Sequence, residues 1–172
     1  MASIMLRQCV ETHWRFTALT EETLAACRDE EITPVIFTEE ARHVLRSHIL
    51  DCMASVTNLT IVKQYEAIAS VIIEHDYPER WPELLQNVGN LLVSGEDAKL
   101  FASLCCLKVL IGKYKGATGE DRLKLEEIAD LVFPYLEGFF EAAVQQQLDE
   151  RNALLMDAMT KIFFRTNFVR AI

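Results

Sequence analysis

Between residues 74 and 85 the chain reads Glu-His-Asp-Tyr-Pro-Glu-Arg-Trp-Pro-Glu-Leu-Leu, with one proline ahead of Trp81 and another directly after it. Pro78 cannot continue a helix that reaches it, because it has no N–H and its ring clashes with the preceding turn; it also pushes Tyr77 out of helical geometry. Pro82 suits the first turn of a following helix, where that N–H would be unpaired in any case. One helix must stop and another start within about five residues, which leaves Tyr77 and Trp81 to fill the corner between them. A chain organised round such a corner is made of paired helices.

The apolar spacing on either side supports this. Ile4, Leu6, Val10 and Trp14 fall near one face of a helix over residues 3–14. Residues 15–37 show no clean periodicity, are acidic between Thr20 and Glu31, and close on Thr33-Pro34, so they are expected to form a solvated, partly irregular connection. Thr38 can cap a helix with Glu39 and Glu40 in its first turn, where the helix dipole favours negative charge. The apolar positions of that helix are Ala41, Val44, Leu45, Ile49, Cys52 and Met53. The Thr57-Asn58 turn starts a second helix, with Ile61, Val62, Tyr65, Ile68, Ala69 and Ile72 on one face. A third is expected from about Glu79 to Val93, presenting Trp81, Leu84, Leu85, Val88, Leu91 and Leu92. A fourth, opened by Glu96-Asp97, covers Leu100 to Tyr114 and is apolar nearly all round, as suits a helix packed on several sides. After a loop at Lys115-Gly-Ala-Thr-Gly119, a long pattern over 120–147 carries Pro134 and Gly138 as expected kinks, and a last helix begins at Asp149-Glu150. Strand-like alternation is nowhere evident, so the chain reads as all-α.

Starting the first helix of each pair near Thr38, Glu79 and Glu120 gives a period of about 40 residues with two helices per unit, the spacing of HEAT-type repeats. The expected architecture is an α-α superhelix, a HEAT/ARM-type solenoid. It divides into 1–37 (the second helix of a truncated repeat plus the acidic linker), 38–78, 79–119, and 120–172 with a long kinked first helix. A four-helix bundle is the alternative, but it accounts neither for the constant period nor for a helix that begins at the first residue.

Composition excludes more than it selects. A formal net charge of -9 disfavours a nucleic-acid or anionic-membrane surface and leaves basic proteins as natural partners. The five cysteines (Cys9, Cys27, Cys52, Cys105, Cys106) contain no Cys-x-x-C pair; all but Cys27 lie in apolar helical runs, and most read as small core residues of a reducing compartment, not as a disulfide framework or a zinc site. The longest apolar run is interrupted by Ser103 and Lys108, short of a bilayer span. No catalytic constellation stands out. His43 and His48 point differently on one helix, His75 beside Asp76 meets the dipole at a helix end, and 115–119 lacks the order of a phosphate loop. The chain is therefore read as no enzyme, with neither metal nor cofactor.

With the helix pairs in place, His75-Asp-Tyr-Pro-Glu-Arg-Trp-Pro-Glu-Leu-Leu85 resembles the Asp-aromatic-Pro…Trp-Pro-x-Leu-Leu element of the importin-β (karyopherin-β) family, where it joins two early HEAT repeats. Ser3 to Trp14, Thr38 to Arg46, Leu59 to Gln64 and Val132-Phe-Pro-Tyr-Leu136 resemble further family segments in the same order. The likeness is nearest to the importin-seven/importin-eight branch and then to the exportin that recycles importin-α, and it identifies the chain as an N-terminal stretch of a longer receptor. The resemblance implies binding of the small GTPase Ran in its GTP state, carriage of protein cargo, contact with nucleoporins, and residence in cytoplasm and nucleus, including the nuclear envelope and pore. It implies no direct nucleic-acid contact and no membrane insertion. The family's Ran contacts come from the second helix of each pair, so Arg7, Gln8, Glu11, Lys63, Gln64, Glu66 and Lys99 become the candidate contacts. Asp76, Tyr77, Pro78, Trp81, Pro82, Leu84 and Leu85 are the family motif and are expected to pack. A Ran-independent helical scaffold remains the other possibility.

Overall fold

Several helices of this chain begin where a side chain supplies an acceptor for the orphan N–H groups of the first turn. The computed structural model describes residues 1–114, 118–145 and 149–170, with side chains as far as Thr166. After α1 (Ala2–His13), Thr20 Oγ1 accepts from Thr23 N at the head of α2 (Glu21–Asp29), and Thr38 Oγ1 accepts from Ala41 N at the head of α3 (Glu39–Ser55). Asn58 Oδ1 accepts from Thr60 N and Ile61 N at the head of α4 (Leu59–Asp76). There follow α5 (Leu84–Leu92), α6 (Asp97–Lys113), α7 (Glu120–Gln145) and α8 (Glu150–Arg170). These eight helices, with no strand among the described residues, form an all-α solenoid of the HEAT/ARM type.

Helices α1, α4, α6 and α8 pack side by side in that order and form one layer. The second layer is α3, resting on α4 and α6, then α5 on α6, then α7 on α8 and α5. One core runs the length of the molecule, from Val10 and Trp14 through Ile72, Trp81 and Leu107 to Ile128 and Ile162. Within the first layer, α4 and α6 lie in the same direction. Glu66 in α4 pairs with Lys108 in α6, and further along Lys113 Nζ reaches the carbonyl oxygens of Ile73 (3.0 Å), Glu74 (2.9 Å) and Tyr77 (2.5 Å). Those carbonyls close α4: Ile73 also accepts from Tyr77 N at 3.2 Å, whereas the Glu74 carbonyl faces Pro78, which has no N–H, so a lysine from the next pair helps cap the helix end.

Four expectations require correction or refinement. The stretch 15–37 is not simply irregular, since it contains α2. This helix buries only Cys27, so it has no apolar face for periodicity to reveal; it ends at Asp29, and just beyond it Glu31 takes a left-handed φ of 55°. Arg15 Nη2 pairs with Glu30 Oε2 at 2.5 Å and ties its end to the end of α1. Second, α3 is rotated from its expected face. It buries Arg42, Arg46, Ile49, Leu50 and Met53, while Val44 is 54% exposed. Third, α5 starts at Leu84 instead of Glu79. Arg80 N and Trp81 N both donate to the Asp76 carbonyl (2.7 and 3.0 Å), so the chain turns about that oxygen before helix resumes. Pro82 lies just ahead of α5, and the Tyr77–Pro78 peptide is cis. The first helices of the pairs thus begin at Glu39, Leu84 and Glu120, at unequal steps. Fourth, α7 carries Pro134 and Gly138 inside a single helix. Of the expected loop at 115–119, residues 115–117 lie outside the described residues, and Gly119 takes the left-handed φ of 64° that suits glycine.

Candidate functional site

The corner at residues 76–84 is held by charge as well as by aromatic packing. Asp76 is fully buried and accepts from Arg46 Nη1 through Oδ2 at 2.8 Å, while its Oδ1 stands 4.0 Å from Arg42 Nη1. Glu39 pairs with the other arm of Arg46, and that hydrogen bond holds the Glu39 carboxyl below its ordinary value. Arg42 Nη2 donates to the carbonyls of Trp14 (2.7 Å) and Phe16 (2.8 Å), and its guanidinium lies 4.5 Å over the Trp14 ring. One buried ionic cluster therefore joins the end of α1, the body of α3 and the end of α4, and it sets how α1 lies against α4. Tyr77 and Trp81 close the corner from the other side, at 6% and 3% exposure, with Tyr77 edge-on to Tyr114 at 6.4 Å between centroids. Leu84 is buried and Leu85 half-buried, whereas Pro82 is exposed and Pro78 intermediate.

The seven residues expected to contact a GTPase all lie on the α1–α4–α6 layer. Arg7 and Glu11 form an i,i+4 pair at 3.7 Å along α1, with Gln8 exposed beside them. On α4, Lys63 is exposed and Gln64 half-buried, with its Oε1 shielded and lacking a partner among the described residues. Glu66 is drawn toward α6 by Lys108, and Lys99 pairs with Glu96 at 2.7 Å at the head of α6. Packing thus brings the α1 and α4 sets onto adjacent helices, while Lys99 stands apart at a helix end.

Several structural partners were not foreseen from sequence. Lys108, which in the sequence only interrupts an apolar run, is the partner of Glu66, and Lys113 caps α4. Arg42 and Arg46 sit on the buried face of α3. The available signal was one buried-type aspartate before Tyr-Pro and two cations at i,i+4 spacing among core positions.

Burial pushes the Cys105 thiol up to about 12 and the fully buried Cys106 higher, so both remain protonated and inert at neutral pH. Burial also raises the Tyr114 phenol, with the neighbouring Tyr77 adding to the shift. Among the described residues no group of three His, Cys, Asp or Glu side chains could hold a metal ion, and no helix is long and apolar enough to cross a membrane.

No protein-family model matches the chain. Individual proteins do. It is 27% identical over 164 residues, or 94% of its length, to a probable importin-7 homolog of Dictyostelium discoideum. It is 31% identical over 103 residues, 60% of its length, to an importin beta-like SAD2 homolog of Arabidopsis thaliana. Human importin-8 is 28% identical over 137 residues, 78% of the chain. These relatives are importins or importin-like proteins, and the chain is similar to them over most of its length. The chain spans 10–14% of the length of these curated relatives.

Proposed function

We propose that this chain is part of a nuclear transport receptor, shuttling between cytoplasm and nucleus, and that its α1–α4–α6 layer binds Ran in the GTP state. In this reading the repeats are 38–78, 79–119 and 120–172, preceded by the second helix of another repeat in 1–37. Arg7, Gln8 and Glu11 of α1 and Lys63, Gln64 and Glu66 of α4 form the main contact, with Lys99 at its edge. Protein cargo and nucleoporins engage the longer receptor of which such a layer is a part. The observation that carries the reading is importin kinship over 94% of the chain. It is supported by the packing of α1 against α4, which gives their polar residues a common surface, and by the unpartnered, shielded Oε1 of Gln64.

The test is calorimetric titration of the 172-residue chain with Ran carrying a non-hydrolysable GTP analogue, and separately with Ran·GDP. The expected result is a preference of at least about tenfold, or 1.4 kcal/mol, for the GTP form, reduced by Lys63→Glu on the exposed side of α4. Equal affinity for both forms, or binding to neither, overturns the proposal in favour of a Ran-independent scaffold.

A further inference from the structure

The α4–α6–α8 layer contains a cleft of about 370 Å³ whose polar lining is Ser70, Glu74, Lys108, Lys113, Lys161 and Arg165. Four cations against one carboxylate is an unusual concentration in a chain of formal charge -9. The four are not equally engaged. Lys108 is paired with Glu66, and Lys113 has committed its three donors to the α4 carbonyls, so these two chiefly contribute field. Lys161 is exposed and pairs only with Asp157, one turn back on its own helix, at 2.7 Å; such surface pairs exchange readily for a better anion. Arg165 donates through Nη1 to the Lys108 carbonyl at 3.3 Å. Among the described residues neither Lys113 nor Arg165 has a carboxylate at ion-pairing distance.

Arg165 lies close over Gly112 of α6: a Cβ there would stand 3.2 Å from Nη1, a tight contact that the guanidinium would relieve by shifting a few tenths of an ångström. The guanidinium rests on the α6 backbone with most of its five N–H donors uncommitted, in the fork geometry that suits an oxyanion. The cleft is larger than a single ion requires and lies at the small end of ligand sites, which run from about 300 to 1,000 Å³.

We propose that this cleft receives an acidic peptide segment of a partner protein, with a side-chain oxyanion held between Arg165 and Lys161 and the charges of Lys108 and Lys113 behind it. None of the seven residues assigned above to the GTPase contact lines the cleft, so this site stands or falls separately from that assignment. Glutamate or aspartate carboxylates and phosphoserine offer the same oxyanion chemistry, and the carboxylate is the simpler source.

The test uses the 172-residue chain and fluorescent peptides of eight glutamates, of eight glutamines, and of a serine-rich sequence with two phosphoserines, read by anisotropy at 0.05 and 0.15 M salt. The glutamate peptide is expected to bind and the glutamine peptide not to, with affinity falling as salt rises. Lys161→Gln should weaken the glutamate peptide several-fold and Lys161→Glu about tenfold or more, whereas Lys124→Glu on α7 should leave it unchanged. Because Lys161 touches only an exposed neighbour, its variants should melt with the parent chain; Arg165→Gln should show the same loss with a small drop in melting midpoint. A phosphoserine peptide that binds more tightly and also loses affinity in Lys161→Glu upholds the site and names phosphate as its preferred oxyanion. Equal binding of the glutamate and glutamine peptides, or glutamate binding that ignores both Lys161 variants, overturns the proposal.

Discussion

Where α4 meets α5, a carboxylate at 0% exposure lies beside two arginines at 2% and 8% exposure, and the chain turns about that carboxylate's own carbonyl oxygen. In α6 the burial is of another kind: Phe101, Leu104, Leu107, Leu110 and Ile111 are at or near zero exposure, and hydrocarbon meets α3, α4, α5 and α8 on every side. Both regions are core. The α6 contacts are numerous and non-directional, so neighbouring apolar residues can share a loss. The corner depends on a few directional bonds among buried charges, and no neighbour can substitute for a missing partner. A solenoid needs both, because apolar packing supplies most of the stability while a polar corner fixes the angle at which one pair passes to the next.

The largest effect should come from Asp76→Ala, which leaves Arg42 and Arg46 buried without their carboxylate. A loss of about 3–5 kcal/mol is expected, measured by urea denaturation. A loss below 1 kcal/mol would show that water or rearrangement serves the two arginines as well as Asp76 does. Leu107→Ala in the centre of α6 should cost about 2–5 kcal/mol, but Leu107→Met less than about 1.5 kcal/mol. The contrast to look for is tolerance of conservative change in α6 and its absence at Asp76, where Asp76→Asn keeps the shape and should still be clearly destabilising. Lys113→Met keeps the stem of the side chain and removes the charge that caps α4. A loss of about 1–2 kcal/mol is expected, with hydrogen exchange accelerating first in the last turn of α4.

The smallest effect belongs to pH. The hydrogen bond from Arg46 depresses the folded-state carboxyl of Glu39 below its ordinary value of 4.5. Its contribution to stability is therefore present above about pH 4.5 and is lost as pH falls through the depressed folded value. Glu39→Gln should remove that part of the acid dependence and little else, because Glu39 is largely exposed. Identical acid-unfolding curves for the two chains would show that Arg46 is satisfied by Asp76 alone.

The helix pairs themselves were legible because they rest on local physics. Thr38 and Asn58 cap the helices they precede, Leu84, Val88 and Leu92 share a face of α5, and α6 is apolar nearly all round and packed on several sides. The failures follow from charge and from shortness. Apolar spacing assigns Val44 to the inner face of α3 and yet it is exposed, because Arg42 and Arg46 look like solvent residues until a buried aspartate is known to await them. α2 escaped notice because nine residues with one buried side chain carry no period. The start of α5 falls later than the prolines imply because two backbone donors converge on the Asp76 carbonyl, a bond pattern with no sequence signature.

By itself, then, the sequence determined an all-α chain of helix pairs and a corner at Tyr77-Pro78 closed by Trp81, since apolar period, caps and prolines act within a few residues of each other. Only the tertiary structure decided which charges are buried and with whom: Asp76 with Arg46 and Arg42, Glu66 with Lys108, and Lys113 on the open end of α4. Each of those pairings joins residues about 30 to 40 positions apart, and a charge is stable out of water only where the fold brings its partner to it.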